Sequence, residues 1–286
     1  VKIKMKIIQA KELGFCYGVC RAIDMLEKAA KQYSSLETLG PVVHNEQVSK
    51  RLDKLGIHVI NSLQEISSAV VAISSHGVSS EVESQLRSKP VTVIDTTCPF
   101  VSRAQIAARR LAEVGFFVII FGEAGHPEVK GILGYAQNKG LATLDGASIA
   151  KLHTLPRRLG ILSQTTQIPE HFNAFVKDVI DLTLQRDAEI RILDTICHDI
   201  RKRQSLSLDL ASKVDMMLVI GGKSSANTRR LLELCSVRTE THMIEKSEEI
   251  DLLWLKGKQT IGITSGTSTA EFSITEVIKR LEDLSN

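Results

Sequence analysis

The residues with chemical potential in this 286-residue chain start with three cysteines at matching places. Cys98 and Cys197 lie in near-copies of one corner, "DTTCPFV" (Asp95–Val101) and "DTICHDI" (Asp194–Ile200). Cys16, in "LGFCYGVCRAI", lacks the Asp-Thr but likewise follows a strand-like run and opens a helix-like segment. Counting 28 residues on from each cysteine reaches His44, His126 and Ser225. Each of these lies four residues after a glycine: Gly40, Gly122 and Gly221. A third polar turn completes each set: "SSHGVS" (Ser74–Ser79), "LSQTTQ" (Leu162–Gln167) and "TSGTST" (Thr264–Thr269). The positions repeat while the identities differ, which is the mark of one architecture used three times with divergent chemistry.

Three thiolates fit structural zinc poorly, because that ion usually closes its shell with a fourth ligand. They fit a [4Fe–4S] cluster with one iron left open, since thiolate sulfur is the usual iron–sulfur ligand. An open iron is both an electron source and a Lewis acid for a hydroxyl group. The polar residues of the other turns include His44, His76, His126, Gln164, Thr165, Thr166, Ser225, Asn227 and Ser268. Hydroxyls and backbone N–H groups at helix starts suit an anion such as phosphate, and histidines add donors whose charge adjusts near neutral pH. Glu128 follows His126 by two residues in the second partner turn. It is the candidate proton donor, with Thr165 as relay.

Elements must bring these turns together. "VVAIS", "VTVID", "FFVIIF", "RLGIL", "EIRILD", "DMMLVI" and "QTIGIT" are short β-branched runs. Each is followed by a Gly, Ser or Thr turn and then a helical pattern. That rhythm predicts parallel α/β units, whose ligand groups stand at the carboxyl ends of the strands. Pro99 suits the first turn of a helix. The expected fold is α/β: three similar modules with mainly parallel sheets, in a pseudo-threefold trefoil around a central iron–sulfur site. Module boundaries are expected at 1–96, 97–193 and 194–286.

Composition excludes several classes. The formal net charge of +3 is too mild to argue for nucleic acid, and 4% aromatic content leaves little for base stacking. "VKIKMKIIQA" alternates like a strand and has no signal-peptide core, and no run nears the ~18 apolar residues of a membrane span. The expectation is a soluble, cytoplasmic protein with no nucleic-acid or membrane partner. Five cysteines without an export signal point to ligands, nucleophiles or core residues rather than disulfides.

Together, "GFCYGVCRAI", "HNEQV", "SSHGVS", "DTTCPFV", "GEAGHPEV", "SQTTQ", "DTICHDIRKRQ", "GGKSSANTRRL" and "GITSGTSTAE" resemble the 4-hydroxy-3-methylbut-2-enyl diphosphate (HMBPP) reductase family, from about residue 3 to 280. The resemblance implies reductive dehydroxylation of HMBPP to isopentenyl and dimethylallyl diphosphates, the last step of the non-mevalonate isoprenoid pathway. It implies Cys16, Cys98 and Cys197 as cluster ligands. The substrate diphosphate would lie against His44, His76, Ser225, Asn227 and Ser268, with His126 nearby. Glu128 would supply protons through Thr165, and reduced flavodoxin or ferredoxin would supply electrons. The chain departs from the family's pattern in places. Ala226 stands where a second serine is usual, Asp199 and Ile200 replace Ala-Thr or Ala-Ser, and Ser265, Thr267 and Ala270 vary the usual "AGASTPE".

Plainer readings stand beside these. A single cysteine is usually a buried small hydrophobe, and that is the reading for Cys20 and Cys235. His58, His153, His171 and His242 lie outside the matched turns, and His198 is left unassigned. "RKR" at Arg201–Arg203 reads as a solvated face, with docking of an acidic electron donor as its other reading. The rival functions are a zinc-dependent hydrolase of a phosphorylated small molecule, and a non-catalytic phosphate-binding module. The second gives no reason for a cysteine in every module.

Overall fold

A computed structural model describes residues 5–137, 139–150, 152, 155–183 and 187–285. His153 lies outside them. In chain order the strands are β1 (Lys6–Gln9), β2 (Leu36–Leu39), β3 (Ile57–Ile60), β4 (Val70–Ile73), β5 (Thr92–Asp95) and β6 (Phe117–Phe121). They continue with β7 (Gly140–Thr143), β8 (Arg158–Ser163), β9 (Glu189–Ile192), β10 (Met216–Ile220), β11 (Glu240–Ile244) and β12 (Thr260–Ser265). Every pairing among them is parallel. The three four-stranded sheets run β3-β2-β4-β5, β7-β6-β8-β9 and β11-β10-β12-β1. Central strands such as β10 (MMLVI) are buried along their whole length, as a parallel sheet covered on both faces requires.

One connection rule underlies all three sheets. The chain enters at an inner strand (β2, β6 or β10), goes to the edge beside it, then crosses to the other inner strand (β4, β8 or β12). The turns that leave the two inner strands therefore flank a point where strand order reverses, the place where open α/β sheets bind ligands. The fourth strand of two sheets follows in sequence, as β5 after β4 and β9 after β8. In the third sheet that edge is taken by β1, with Lys6 opposite Thr260 and Gln9 opposite Ile263. The N-terminal strand thus belongs to the sheet of β10, β11 and β12, where β12 leaves an open parallel edge that it fills.

Two compact units result. One comprises residues up to Cys20, Val43–Arg51 and the chain from His198, and it holds β1, β10, β11 and β12. The other comprises Arg21–Val42 and Leu52–Cys197 and holds the remaining two sheets. In the first unit Leu218, Ile220, Ile261 and Ile263 pack with Val277 and Leu281 of the helix Glu271–Ser285. In the second, Ala104, Ala108 and Leu111 of the helix Pro99–Glu113 pack with Val118, Ile120 and Leu162. Val129 and Ile132 join that core from the helix Pro127–Tyr135. Each fully buried Leu, Ile or Val contributes about 1.5–3 kcal/mol, so Glu128 sits on a helix anchored by the core residues that follow it. No helix among the described residues is long and apolar enough to cross a membrane.

Candidate active site

All three cysteines stand where an edge strand has ended and a helix begins: Tyr17–Ala30, Pro99–Glu113 and His198–Ala211. The same backbone bond ties each one. The Cys98 N–H donates to Ser75 O (3.0 Å), Cys197 N–H to Thr165 O (2.9 Å) and Cys16 N–H to Thr267 O (3.2 Å). Each acceptor is the second residue past β4, β8 or β12. The third polar turn thus carries the cysteine of its own sheet.

The Asp-Thr-x-Cys motif is the covalent pattern of this corner. Asp95 Oδ1 accepts the Thr97 N–H (2.9 Å), and Asp194 Oδ1 accepts the Ile196 N–H (3.1 Å). These are tight two-residue loops of the kind Asp side chains make. The Thr96 hydroxyl donates to Ile73 O (2.5 Å) and the Thr195 hydroxyl to Ser163 O, each at the end of the neighbouring strand. The Cys16 corner has neither residue. There Gly14 takes a positive φ of 74° and donates its N–H to Ser265 Oγ (2.8 Å), so the hydroxyl comes from β12 instead.

In the second unit, Glu128 is 2% exposed. Its Oε1 accepts the Thr165 N–H (2.7 Å) and its Oε2 accepts the Thr165 hydroxyl (2.9 Å). Burial pushes the carboxyl up to about 7, against the two Thr165 bonds that pull it down. His126 caps the same helix, its Nδ1 accepting the Glu128 N–H (3.2 Å). The His76 ring meets His126 edge to face, with centroids 5.5 Å apart. Close packing makes this possible at Gly122, where a Cβ would meet Gln164 Cβ and Val129 Cγ2 at 2.9 Å each. His76, His126, Glu128 and Thr165 therefore form one contiguous group, continuous through Thr165 with Cys197 and through the "SSHGVS" turn with Cys98.

The first unit gathers a different group. Ser225 caps the helix Ala226–Ser236, its hydroxyl accepting the Thr228 N–H (3.4 Å). The Asn227 amide and the hydroxyls of Ser268 and Thr228 are buried with no hydrogen-bond partner among the described residues. His44 reaches this group because Val43–Arg51 is held there, by Gln47 Nε2 donating to Glu245 O (3.2 Å) and Ser273 Oγ donating to Gln47 Oε1 (2.7 Å). A Cβ on Gly222 would meet the His44 carbonyl oxygen at 2.5 Å, so glycine lets the two turns touch. Ala226 is buried at the first helical position. Donors at a helix N-terminus, several of them without a partner among the described residues, are an arrangement that can hold an anion.

Arg203 is the residue that sequence reasoning misplaced. It is 3% exposed, not part of a solvated "RKR" face. Its Nη1 donates to Ser265 O (2.9 Å) and Oγ (3.2 Å). The signal was periodicity: Ile200, Arg203, Gln204, Ser207, Leu210 and Ala211 form the buried stripe of His198–Ala211. Lys202, one residue earlier, is exposed and paired with Glu12. No disulfide joins any of the five cysteines. Cys235 is fully buried and burial pushes its thiol up to about 12, the inert state expected of a packing residue. Cys20 is exposed, which corrects the packing role expected for it: it points from the polar side of its helix.

The chain matches the model of the LytB protein family over residues 7–282. A 4-hydroxy-3-methylbut-2-enyl diphosphate reductase of Dehalococcoides mccartyi is 54% identical over 281 residues, covering 98% of this chain and 99% of the relative. The enzyme of the same name from Pelobacter propionicus is 41% identical over 281 residues, again covering 98% and 99%. Among solved structures, (E)-4-hydroxy-3-methyl-but-2-enyl diphosphate reductase, the terminal enzyme of the non-mevalonate pathway, matches with a TM-score of 0.70 at 37% identity, over 98% of this chain and 100% of that one. The E-1-hydroxy-2-methyl-but-2-enyl-4-diphosphate reductase from Plasmodium falciparum matches with a TM-score of 0.91 at 26% identity, over 99% and 89%.

Proposed function

This chain belongs to the LytB protein family, and from that premise we propose that it is an HMBPP reductase. It removes the allylic hydroxyl of HMBPP as water, using two electrons and two protons, and yields isopentenyl and dimethylallyl diphosphates. The observation that carries this reading at the site is a buried Glu128 whose carboxyl is pushed up to about 7 and whose two oxygens both face Thr165. At neutral pH about half of such a group holds its proton, which is the state a general acid needs.

The chain's own residues divide the work. Protonated Glu128 passes its proton to the Thr165 hydroxyl, which hands it on toward the departing oxygen. Asn227, Ser268 and Ser225, at or beside a helix N-terminus, hold the diphosphate, with His44, His76 and His126 adding donors. Burial of these groups excludes water, so each charge-assisted bond counts for more than it would in solvent.

Cys16, Cys98 and Cys197 would hold a [4Fe–4S] cluster. The donor set fits: three thiols, each at a helix start, each fixed by the same backbone bond. When bound, that cluster supplies electrons and an iron open to the substrate hydroxyl. Reduced flavodoxin or ferredoxin would recharge it.

Anaerobic purification tests the reading. The expected protein is brown, carries iron and acid-labile sulfide in equal amounts, and converts HMBPP to the two diphosphates with a reduced viologen dye as donor. Stoichiometric zinc without sulfide, and no conversion, would overturn it in favour of the hydrolase.

A further inference from the structure

The Cys16 corner does without the threonine that ties the other two, and a cation is buried beside its replacement. Ser265, one of the residues that vary the usual "AGASTPE", supplies the hydroxyl that takes the Gly14 N–H. The same hydroxyl and its carbonyl take Nη1 of Arg203. A buried guanidinium is rarely left without an anion, yet the hydrogen bonds of Arg203 go to uncharged oxygens and its Nε has no hydrogen-bond partner among the described residues. Glu12 is engaged by Lys202. The ionisable groups whose fields reach Arg203 are Cys16, Glu12 and Asp199. Through Ser265 this cation braces the backbone two residues before Cys16.

We propose that Arg203 is a positioning residue for Cys16: through Ser265 it braces the Gly14–Cys16 corner, and its buried cation balances the negative charge of the ligating sulfur and raises the reduction potential of the cluster held there. The inference rests on Cys16 being a cluster ligand. Net charge and hydrogen bonding around the sulfurs set iron–sulfur potentials, and a charge shielded from water acts over short distances more strongly than an exposed one. A nearby cation favours the reduced, more negative state, so removing it lowers the potential.

The test is a redox titration of the purified holoprotein followed by electron paramagnetic resonance, with iron and sulfide counted in each sample. Arg203→Met and Arg203→Gln should shift the midpoint to lower potential at unchanged iron and sulfide. Arg203→Lys, which keeps a cation on a less rigid fork, should stay near the wild-type value. Ser265→Ala should also keep the potential while shortening the life of the cluster under a chelator. If one of the neutral variants fails to fold, the other paired with Arg203→Lys carries the comparison. A neutral variant with full cluster content and the wild-type midpoint, or a lysine variant as low as the neutral ones, overturns the proposal. A wild-type protein with neither iron nor sulfide would instead overturn the function on which it rests.

Discussion

Glu128 and Asn227 are equally hidden, each 2% exposed, and they are satisfied in opposite ways. Both Glu128 oxygens have a donor from Thr165, while neither polar atom of the Asn227 amide has a partner among the described residues. An unsatisfied buried polar group costs about 1–3 kcal/mol, a strain that is resolved when a guest supplies the missing bonds. On the proposed function, the difference teaches that the proton-delivering group is satisfied by the folded chain, whereas the anion-holding group keeps its bonds for a ligand.

Four measurements sharpen or break that contrast. Replacing Glu128 by Gln keeps the bonds to Thr165 and removes the acid. Turnover should fall about 10²–10⁴-fold with the visible spectrum of the cluster intact, and a variant with normal turnover would end its role. Asn227→Ala should instead raise KM for HMBPP about 10–100-fold, the worth of a hydrogen bond to a charged group, with kcat much less changed. A purely kcat effect would place Asn227 on the chemical step rather than in the cradle.

Acidity offers the third measurement. Because Glu128 gives up its proton around pH 7, turnover should drop about tenfold per pH unit above that value. The Gln variant's residual rate should lack the inflection. A wild-type rate flat from pH 6 to 9 would remove Glu128 as the acid.

Stability gives a further readout. Holding the carboxyl up at about 7 instead of 4.5 means the folded state disfavours its charge. The resulting penalty is absent below pH 4.5, grows between 4.5 and 7, and is constant above, at about 3 kcal/mol. Glu128→Gln should therefore melt higher than the wild type at pH 8 and level with it near pH 4.5. Equal melting temperatures at both pH values would show that the carboxyl is not buried as described. Inorganic diphosphate should raise the melting temperature of the wild type and not of Asn227→Ala.

Much of this was legible in the chain. The runs that became β4, β5, β6, β8, β9, β10 and β12 are β-branched and bounded by turn residues. β2, β3, β7 and β11 escaped notice because LETL, IHVI, GLAT and ETHMI are short or interrupted by polar residues. They are strands because an apolar neighbour pairs with them along a parallel register, which is tertiary override of weak local preference. Gly40, Gly122 and Gly221 mark the ends of β2, β6 and β10, so the three equal spacings in sequence are one turn after the inner strand of each sheet.

The motif Asp-Thr-x-Cys and the 28-residue offsets were determined by the sequence itself, since their bonds span two residues or repeat with one supersecondary unit. Only the tertiary structure decided that β1 completes the C-terminal sheet, that Ser265 does for Cys16 what Thr96 and Thr195 do for Cys98 and Cys197, and that Arg203 is buried. Those partners lie as far apart as Lys6 and Thr260 or Gly14 and Ser265. No local pattern names these partners, although helical periodicity marks the face that carries Arg203: which groups meet at such a distance depends on which surfaces the folded chain brings into contact.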